Sequence, residues 1–216
     1  NTLVGYANEE QLNQDLSFAG DILQELANQQ FKEDIKTEME KVATTFERFK
    51  ELQLTQDVDL AEFKQAKADL RSRLANLNRL LNHKLFLSTH VNDSDDDIFA
   101  SKLYTDWKES HQPFHWLAEF YQIIHGNGGF DVIIGNPPYV EYFKKDRVSK
   151  LSVHDIYQIK GYSTEDCGNL YAYVIERCVN LSNPFTLQGY IIPSASVCTP
   201  RMELLCKIIQ HGELWS

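Results

Sequence analysis

Asn136-Pro137-Pro138-Tyr139 directly follows the run Phe130-Asp131-Val132-Ile133-Ile134-Gly135. A short apolar, β-branched run that ends in Gly and then Asn-Pro-Pro-aromatic reads as a parallel strand stopping in a rigid turn. In open α/β sheets, ligands bind outside the carboxyl ends of such strands. Two successive prolines fix φ near about −65° and remove two N–H donors, which leaves the carbonyls of the turn free. An Asn amide oxygen beside a backbone carbonyl makes a pair of acceptors for a planar –NH2 group, and the Tyr ring offers a face on which a flat heterocycle stacks. The ligand implied is a nucleobase with an exocyclic amine. Taken without its surroundings, the tetrapeptide reads equally as a tight turn that closes a strand.

Other residue types in the chain are also capable of chemistry. Just past the turn, Lys144, Lys145, Arg147, Lys150 and Lys160 are interleaved with Tyr142, Phe143 and Tyr157. Cations among aromatics beside a base pocket suit phosphate contacts around a flipped nucleotide; a solvated loop accounts for them as well. His111 and His115 stand four apart, as helical metal ligands do, but Pro113 lies between them and no third ligand is at hand, so packing or polar surface is the better reading and no metal is assigned. Glu62-Phe63-Lys64 has the Glu-x-Lys spacing of nuclease sites, yet it falls on a helical stripe with Phe63 as its core residue. The run Asn92-Asp93-Ser94-Asp95-Asp96-Asp97 lacks the Gly and closing Glu of a calcium loop and reads as a solvated turn capping the next helix. Cys167, Cys178, Cys198 and Cys206 have no spacing that suggests zinc or a redox pair, which fits free thiols in a reducing cytosol.

The elements that must position the turn are legible as patterns. Ile22, Leu26, Phe31, Ile35, Met39, Val42, Phe46, Phe49 and Leu52 recur every three or four residues, and the spacing predicts one amphipathic helix from Asp21 to Leu54. A second stripe runs through Leu60, Phe63, Leu70, Leu74, Leu77, Leu81 and Leu85, with Asp59 placed to cap it and Glu62 at the capping-box position. Two long helices with a short turn fold back as an antiparallel hairpin. Ile98 to Ile124 reads as a helix or two, its aromatics serving packing between hairpin and sheet. Thereafter come a strand at Phe130–Gly135, a long loop to about Asp166, a helix over Asn169–Leu181, a strand at Tyr190–Pro193 and a helix over Arg201–Gln210. A strand–helix–strand order sets the two strands parallel, and two strands make no stable sheet alone. An apolar edge, and poor behaviour in isolation or dimerisation, is the expected consequence.

The 216 residues suffice for one or two domains, and 43% hydrophobic with 24% charged residues is ordinary for a soluble chain. No apolar run reaches membrane-spanning length, and no secretion signal opens the chain. A net charge of −10 argues against this piece being the main grip on a polyanion.

Pro113-Phe114-His115-Trp116-Leu117-Ala118-Glu119-Phe120, then Gly128 to Val140 around the tetrapeptide, together resemble the adenine-specific DNA methyltransferases of restriction–modification systems, type IIG enzymes in particular. Asn169 to Arg177 and Gly189 to Ser194 look like that family's next helix and strand, and Asn1-Thr2-Leu3-Val4-Gly5 resembles the element after its third strand; the stretch from about Gln11 to Ser110 has no counterpart in the resemblance. The resemblance implies an α/β fold: a truncated Rossmann-like S-adenosylmethionine-dependent methyltransferase sheet with a long antiparallel helical hairpin inserted. Residues 1–20 would begin the catalytic domain after its third strand, 21–90 form the hairpin, 91–127 an acidic linker with an aromatic helical segment, and 128–216 the catalytic α/β part.

The same resemblance implies S-adenosylmethionine as methyl donor, double-stranded DNA as substrate and a prokaryotic cytoplasm. Asn136 and Pro137 would accept the two N–H groups of the adenine amine, Pro138 would set the turn and Tyr139 would stack on a base flipped from the duplex. Asn169 would border the cofactor pocket, although capping of its helix explains it equally well. The family's Gly-rich cofactor turn and its acidic partner precede the element that Asn1 to Gly5 resembles. The chain therefore reads as part of a larger enzyme, lacking the N-terminal cofactor-binding part and a C-terminal specificity domain, and inactive alone. Two rival readings are a methyltransferase for RNA or protein glutamine, which share the tetrapeptide, and a non-catalytic module whose acidic hairpin contacts a partner.

Overall fold

Apolar residues at three- and four-residue spacing build the two helices that dominate the molecule. The computed structural model describes residues 1–17, 22–55, 59–90, 101–194 and 199–210. Helix α1 (Glu9–Ser17), which the sequence patterns did not predict, leads into α2 (Ile22–Leu54) and α3 (Leu60–Thr89). Ile35, Met39 and Val42 of α2 share one core with Leu70, Leu77 and Leu81 of α3. The cross-links run in opposite senses along the two helices: Arg48 meets Glu62 at 3.4 Å, Asn76 donates to Glu38 at 3.1 Å, and Lys84 donates to Asn28 at 3.0 Å. That order is an antiparallel hairpin, as expected. Asp59 caps α3 by accepting the Ala61 N–H at 2.9 Å. Glu62 reaches across to Arg48 instead of closing the capping box, because a cross-hairpin cation is available to it. The aspartate run at 92–97 lies outside the described residues.

The hairpin's base and the lower end of the sheet share one core, to which Tyr6, Leu12, Leu16, Leu117, Ala118 and Leu181 contribute. Helix α4 (Lys102–His111) docks Tyr104 and Trp107 on Phe86 near the end of α3, so the aromatic segment serves packing, as expected. The short helix α5 (Trp116–Glu119) and a π turn at Gln122–Gly126 complete this layer. His115 is completely buried; its Nδ1 accepts the Tyr6 amide at 3.1 Å, and its Nε2 lies 2.9 Å from Asn82 Oδ1 of α3. Those two partners define a neutral ring protonated on Nε2. Burial, reinforced by the Arg177 charge, lowers its pKa to about 3.

Strand β1 (Phe130–Gly135) pairs in parallel with β2 (Ser182–Tyr190), and α7 (Leu170–Asn180) forms the crossover. The sequence pattern predicts the second strand at Tyr190–Pro193, whereas β2 ends at Tyr190. Pairing begins as soon as α7 finishes, where the Phe130 N–H donates to the Leu181 carbonyl at 2.9 Å. Asn183 then folds a turn, accepting the Phe185 N–H at 2.8 Å, while the Thr186 hydroxyl donates to the Phe130 carbonyl. Regular register holds from Val132↔Leu187 to Gly135↔Tyr190. Asn183, Pro184 and Gly189 broke the apolar pattern by which a buried strand is recognised. Gly129 fixes the approach: its φ is +142°, and a Cβ there would sit 2.5 Å from the Leu181 carbonyl oxygen.

The described residues are thus mostly helical, with one two-stranded parallel sheet. Val132, Ile134, Leu187 and Ile191 expose their side chains around it, the apolar surface anticipated for so narrow a sheet. No described helix is long and apolar enough to cross a membrane.

Candidate functional site

Where β1 ends, the chain turns sharply and is fastened on two sides. The Ile191 N–H donates to the Gly135 carbonyl at 3.1 Å, so β2 holds the strand up to its last residue. Beyond the turn, Leu170 N–H donates to the Val140 carbonyl at 2.9 Å and Tyr142 N–H to the Gly168 carbonyl at 2.8 Å. Residues 140–142 are thereby laid antiparallel along the start of α7, with Glu141 bridging Asn169. Glu141 also meets Arg201 at 3.1 Å.

Between these anchors stand the four turn residues. Asn136, Pro138 and Tyr139 are exposed, and Pro137 is buried. Tyr139 folds back so that its hydroxyl lies 2.9 Å from Asn136 Oδ1 and 2.7 Å from the Ile191 carbonyl. One hydroxyl proton serves only one of these acceptors at a time. The Tyr139 ring meets Tyr171 of α7 edge-on, centroids 6.3 Å apart, and is about half exposed (48%). The carbonyl of Pro137 accepts no hydrogen bond from any described residue. The turn therefore presents a side-chain acceptor, a backbone acceptor without a donor and an aromatic ring within one tetrapeptide.

Asn169 is buried and caps α7, with Oδ1 at 3.4 Å from the Tyr171 N–H and Nδ2 at 3.3 Å from Glu141. Its amide is engaged at both ends. Gly128 and Gly129 precede β1 rather than follow a strand.

Lys144, Lys145, Arg147 and Lys150 are all exposed, and none is in an ion pair among the described residues. Asp146 shapes their loop by accepting the Val148 and Ser149 N–H groups at 2.9 and 2.8 Å, bonds that hold its carboxyl below the ordinary range. The stretch expected as loop to Asp166 contains a short helix, α6 (Val153–Tyr157), closed by a Ser152–Asp155 capping box. Tyr142 does not join the basic residues at the surface. It is fully buried among Leu3, Ile159, Tyr162 and Tyr173, and its hydroxyl accepts the Ile159 N–H at 2.8 Å.

Two residues that position the site went unnoticed in the sequence. Arg177, 4% exposed on α7, donates to the Tyr162 hydroxyl (2.7 Å), Gln11 Oε1 (2.8 Å) and the Leu3 and Gly5 carbonyls (3.1 and 2.9 Å). Glu176 accepts the Ser163 and Thr164 N–H groups at 2.8 and 2.9 Å. Together they tie the first residues and the 162–164 segment to the helix that holds the turn. A charged pair inside the otherwise apolar run Leu170–Val179 was the available signal. A separate cleft of about 890 Å³, lined by Gly5, Lys84, His90, Lys160 and Arg177 among others, lies at the hairpin's base and does not include the turn. His111 bonds the Trp107 carbonyl and Ser110, and Glu62 and Lys64 lie on α3, so neither the His pair nor the Glu-x-Lys spacing converges on a site.

The model of a family described as Eco57I restriction-modification methylase fits residues 7–209. No curated protein and no solved structure matches the chain.

Proposed function

Because this chain belongs to the Eco57I restriction-modification methylase family, we propose that it is the base-holding part of a DNA methyltransferase that moves a methyl group from S-adenosylmethionine to the exocyclic 6-amino group of adenine. Membership in a restriction–modification methylase family supports the DNA methyltransferase role. The finer reading rests on one observation: Asn136 and Pro137, whose carbonyl accepts no hydrogen bond from a described residue, are consecutive in the turn at the carboxyl end of β1, beside the exposed Tyr139 ring.

The amine of adenine is a weak nucleophile because its lone pair is delocalised into the ring. Asn136 accepts one N–H and the Pro137 carbonyl the other, which favours a pyramidal nitrogen with its lone pair directed outward. Orientation and electrostatics supply the acceleration, and no covalent enzyme intermediate is required. Tyr139 holds the flipped base by stacking, worth about 1–3 kcal/mol against an unstacking cost of a few kcal/mol. Lys144, Lys145, Arg147 and Lys150 follow the turn directly, are exposed and form no ion pair among the described residues, which leaves them available for phosphate contacts flanking that base. Asn169 contributes by fixing the start of α7 beneath the turn, at the edge of the space the methyl donor would occupy.

The test is nucleoside analysis of duplex DNA incubated with the full-length enzyme and labelled S-adenosylmethionine. Label in N6-methyladenine at one recurring sequence supports the reading; label confined to cytosine, or to RNA or protein in parallel reactions, overturns it.

A further inference from the structure

The chain carries a net charge of −10, yet α3 holds six Lys/Arg against two Asp/Glu. Some of that charge is used internally. Arg79 bonds Asn76 at 3.2 Å, Lys84 bonds Asn28 at 3.0 Å, and Arg73 acts on Glu38, whose carboxyl is held low chiefly by its bond to Lys41. Lys64, Lys67 and Arg71 are different: all are exposed, and none makes a hydrogen bond or ion pair among the described residues. At 3.6 residues per turn they fall within about 60° of helical arc and span about 10 Å of axis.

Their position is as informative as their charge. The hairpin's outermost ties to the rest of the molecule are Gln122 to Glu47 at 2.7 Å and Asn78 to Glu119 at 2.8 Å. Beyond them, the hydrogen bonds and ring contacts of described residues 48–73 stay within the hairpin, as in Arg48–Glu62 and the Phe49–Phe63 rings 5.3 Å apart. Among the described residues the outer hairpin is thus an arm whose hydrogen bonds and ring contacts are internal. From Asn78 to Lys64 it extends about 21 Å along the α3 axis, the length of roughly six base pairs at 3.4 Å each.

Resting on the DNA reading above, we propose that the Lys64–Lys67–Arg71 face of this arm grips the phosphate backbone of the duplex several base pairs from the target base. Three exposed cations without counter-ions among the described residues, on a chain whose overall charge repels a polyanion, form a local stripe complementary to an external anion. A duplex presents one negative charge per about 1.7 Å of axis, so a 10 Å stripe faces several phosphates at once. The contact is blind to sequence and fixes the enzyme's orientation on the helix.

The experiment compares the full-length enzyme with its Lys64→Gln/Lys67→Gln/Arg71→Gln variant, both checked for helical content and melting temperature. Duplex affinity is measured over a salt series on a long duplex and on one trimmed to the recognition site. At a slope of about 0.9 per phosphate contact, the variant loses up to about 2.7 from the log–log salt slope on the long duplex; native and variant coincide on the trimmed one. If the native enzyme binds the long duplex steeply and the variant shares that slope, the proposal is overturned and the stripe faces an acidic protein surface instead. A native enzyme that binds neither duplex overturns the DNA reading itself, and the arm's role with it.

Discussion

The hydroxyl of Tyr139 lies 2.9 Å from Oδ1 of Asn136, so the side chains proposed to stack on the base and to accept its amine touch each other. The same hydroxyl is closer still, 2.7 Å, to the Ile191 carbonyl just beyond β2. That bond keeps the ring in place while leaving Asn136 Oδ1 able to accept from a substrate. Tyr139→Phe removes one hydrogen bond, worth about 0.5–1.5 kcal/mol, and keeps the ring. It should retain methyl transfer within roughly tenfold, whereas Tyr139→Ala should weaken binding of the flipped base by a further roughly 5- to 150-fold, the equivalent of about 1–3 kcal/mol of stacking. Equal losses in the two variants, measured by duplex affinity and turnover, would rule out stacking as the role of the ring.

How much of this was readable beforehand differs between elements. The hairpin, β1 and α7 announce themselves because apolar side chains at a fixed period leave few alternatives, and the Asn-Pro-Pro-Tyr turn is marked by residue types that only special backbone geometry favours. The limits of β2 were not readable: it begins with Asn183-Pro184 turned out of register, and much of its length is polar or small. Tyr142 and Tyr139 look alike in sequence, three residues apart beside cations, yet one is core and the other surface. The difference comes from Ile159 and Tyr173, brought over Tyr142 by long-range contacts that no local pattern contains. Arg177 was missed for the same reason, since three of its four acceptors lie more than 160 residues away at Leu3, Gly5 and Gln11.

His115 gives the fold a definite pH dependence. Its folded pKa, about 3, lies below the ordinary 6.5, so the unfolded chain takes up a proton that the native state refuses. The stability this neutral ring permits is fully present above pH 6.5 and is lost as pH falls towards 3, at up to about 1.4 kcal/mol per pH unit. Denaturant unfolding at pH 6.5 and pH 5, above the range where most carboxylates titrate, should show the loss in the native chain. His115→Gln, whatever its absolute stability, should have a flatter slope; identical slopes would remove His115 from the account.

Arg177 holds the first residues of the chain against α7. Arg177→Met leaves the Gly5 carbonyl without its donor, at about 1–3 kcal/mol; the Leu3 carbonyl keeps the Tyr162 hydroxyl and Gln11 Oε1 keeps the Ala7 N–H, so each of these loses one of two donors. The variant should unfold at lower denaturant, and the Val4 amide, which donates to the Asn1 carbonyl, should exchange faster with solvent. Unchanged exchange there would mean the N-terminal segment is held by other means.

Gly129 sets the start of β1 with a φ of +142° and no room for a side chain, its nearest neighbours being the Leu181 carbonyl and the Ser182–Asn183 backbone. Gly129→Ala should cost at least the ~1–3 kcal/mol of a strained backbone, with the β1–β2 pairing loosened first. Gly128→Ala is the informative partner: its φ of +71° is also left-handed, but a Cβ there meets nothing. The Gly129 variant should be clearly the less stable of the two in thermal melts.

The most direct test of the central claim is single-turnover methyl transfer to duplex DNA by the full-length enzyme carrying Asn136→Ala, with duplex affinity measured in parallel. If Asn136 accepts the amine in the transition state, the rate falls by roughly 10²–10³-fold, as for loss of one preorganised polar group, while affinity changes by less than about tenfold. A variant that methylates adenine at near the native rate would contradict the assignment of this turn as the base-activating site.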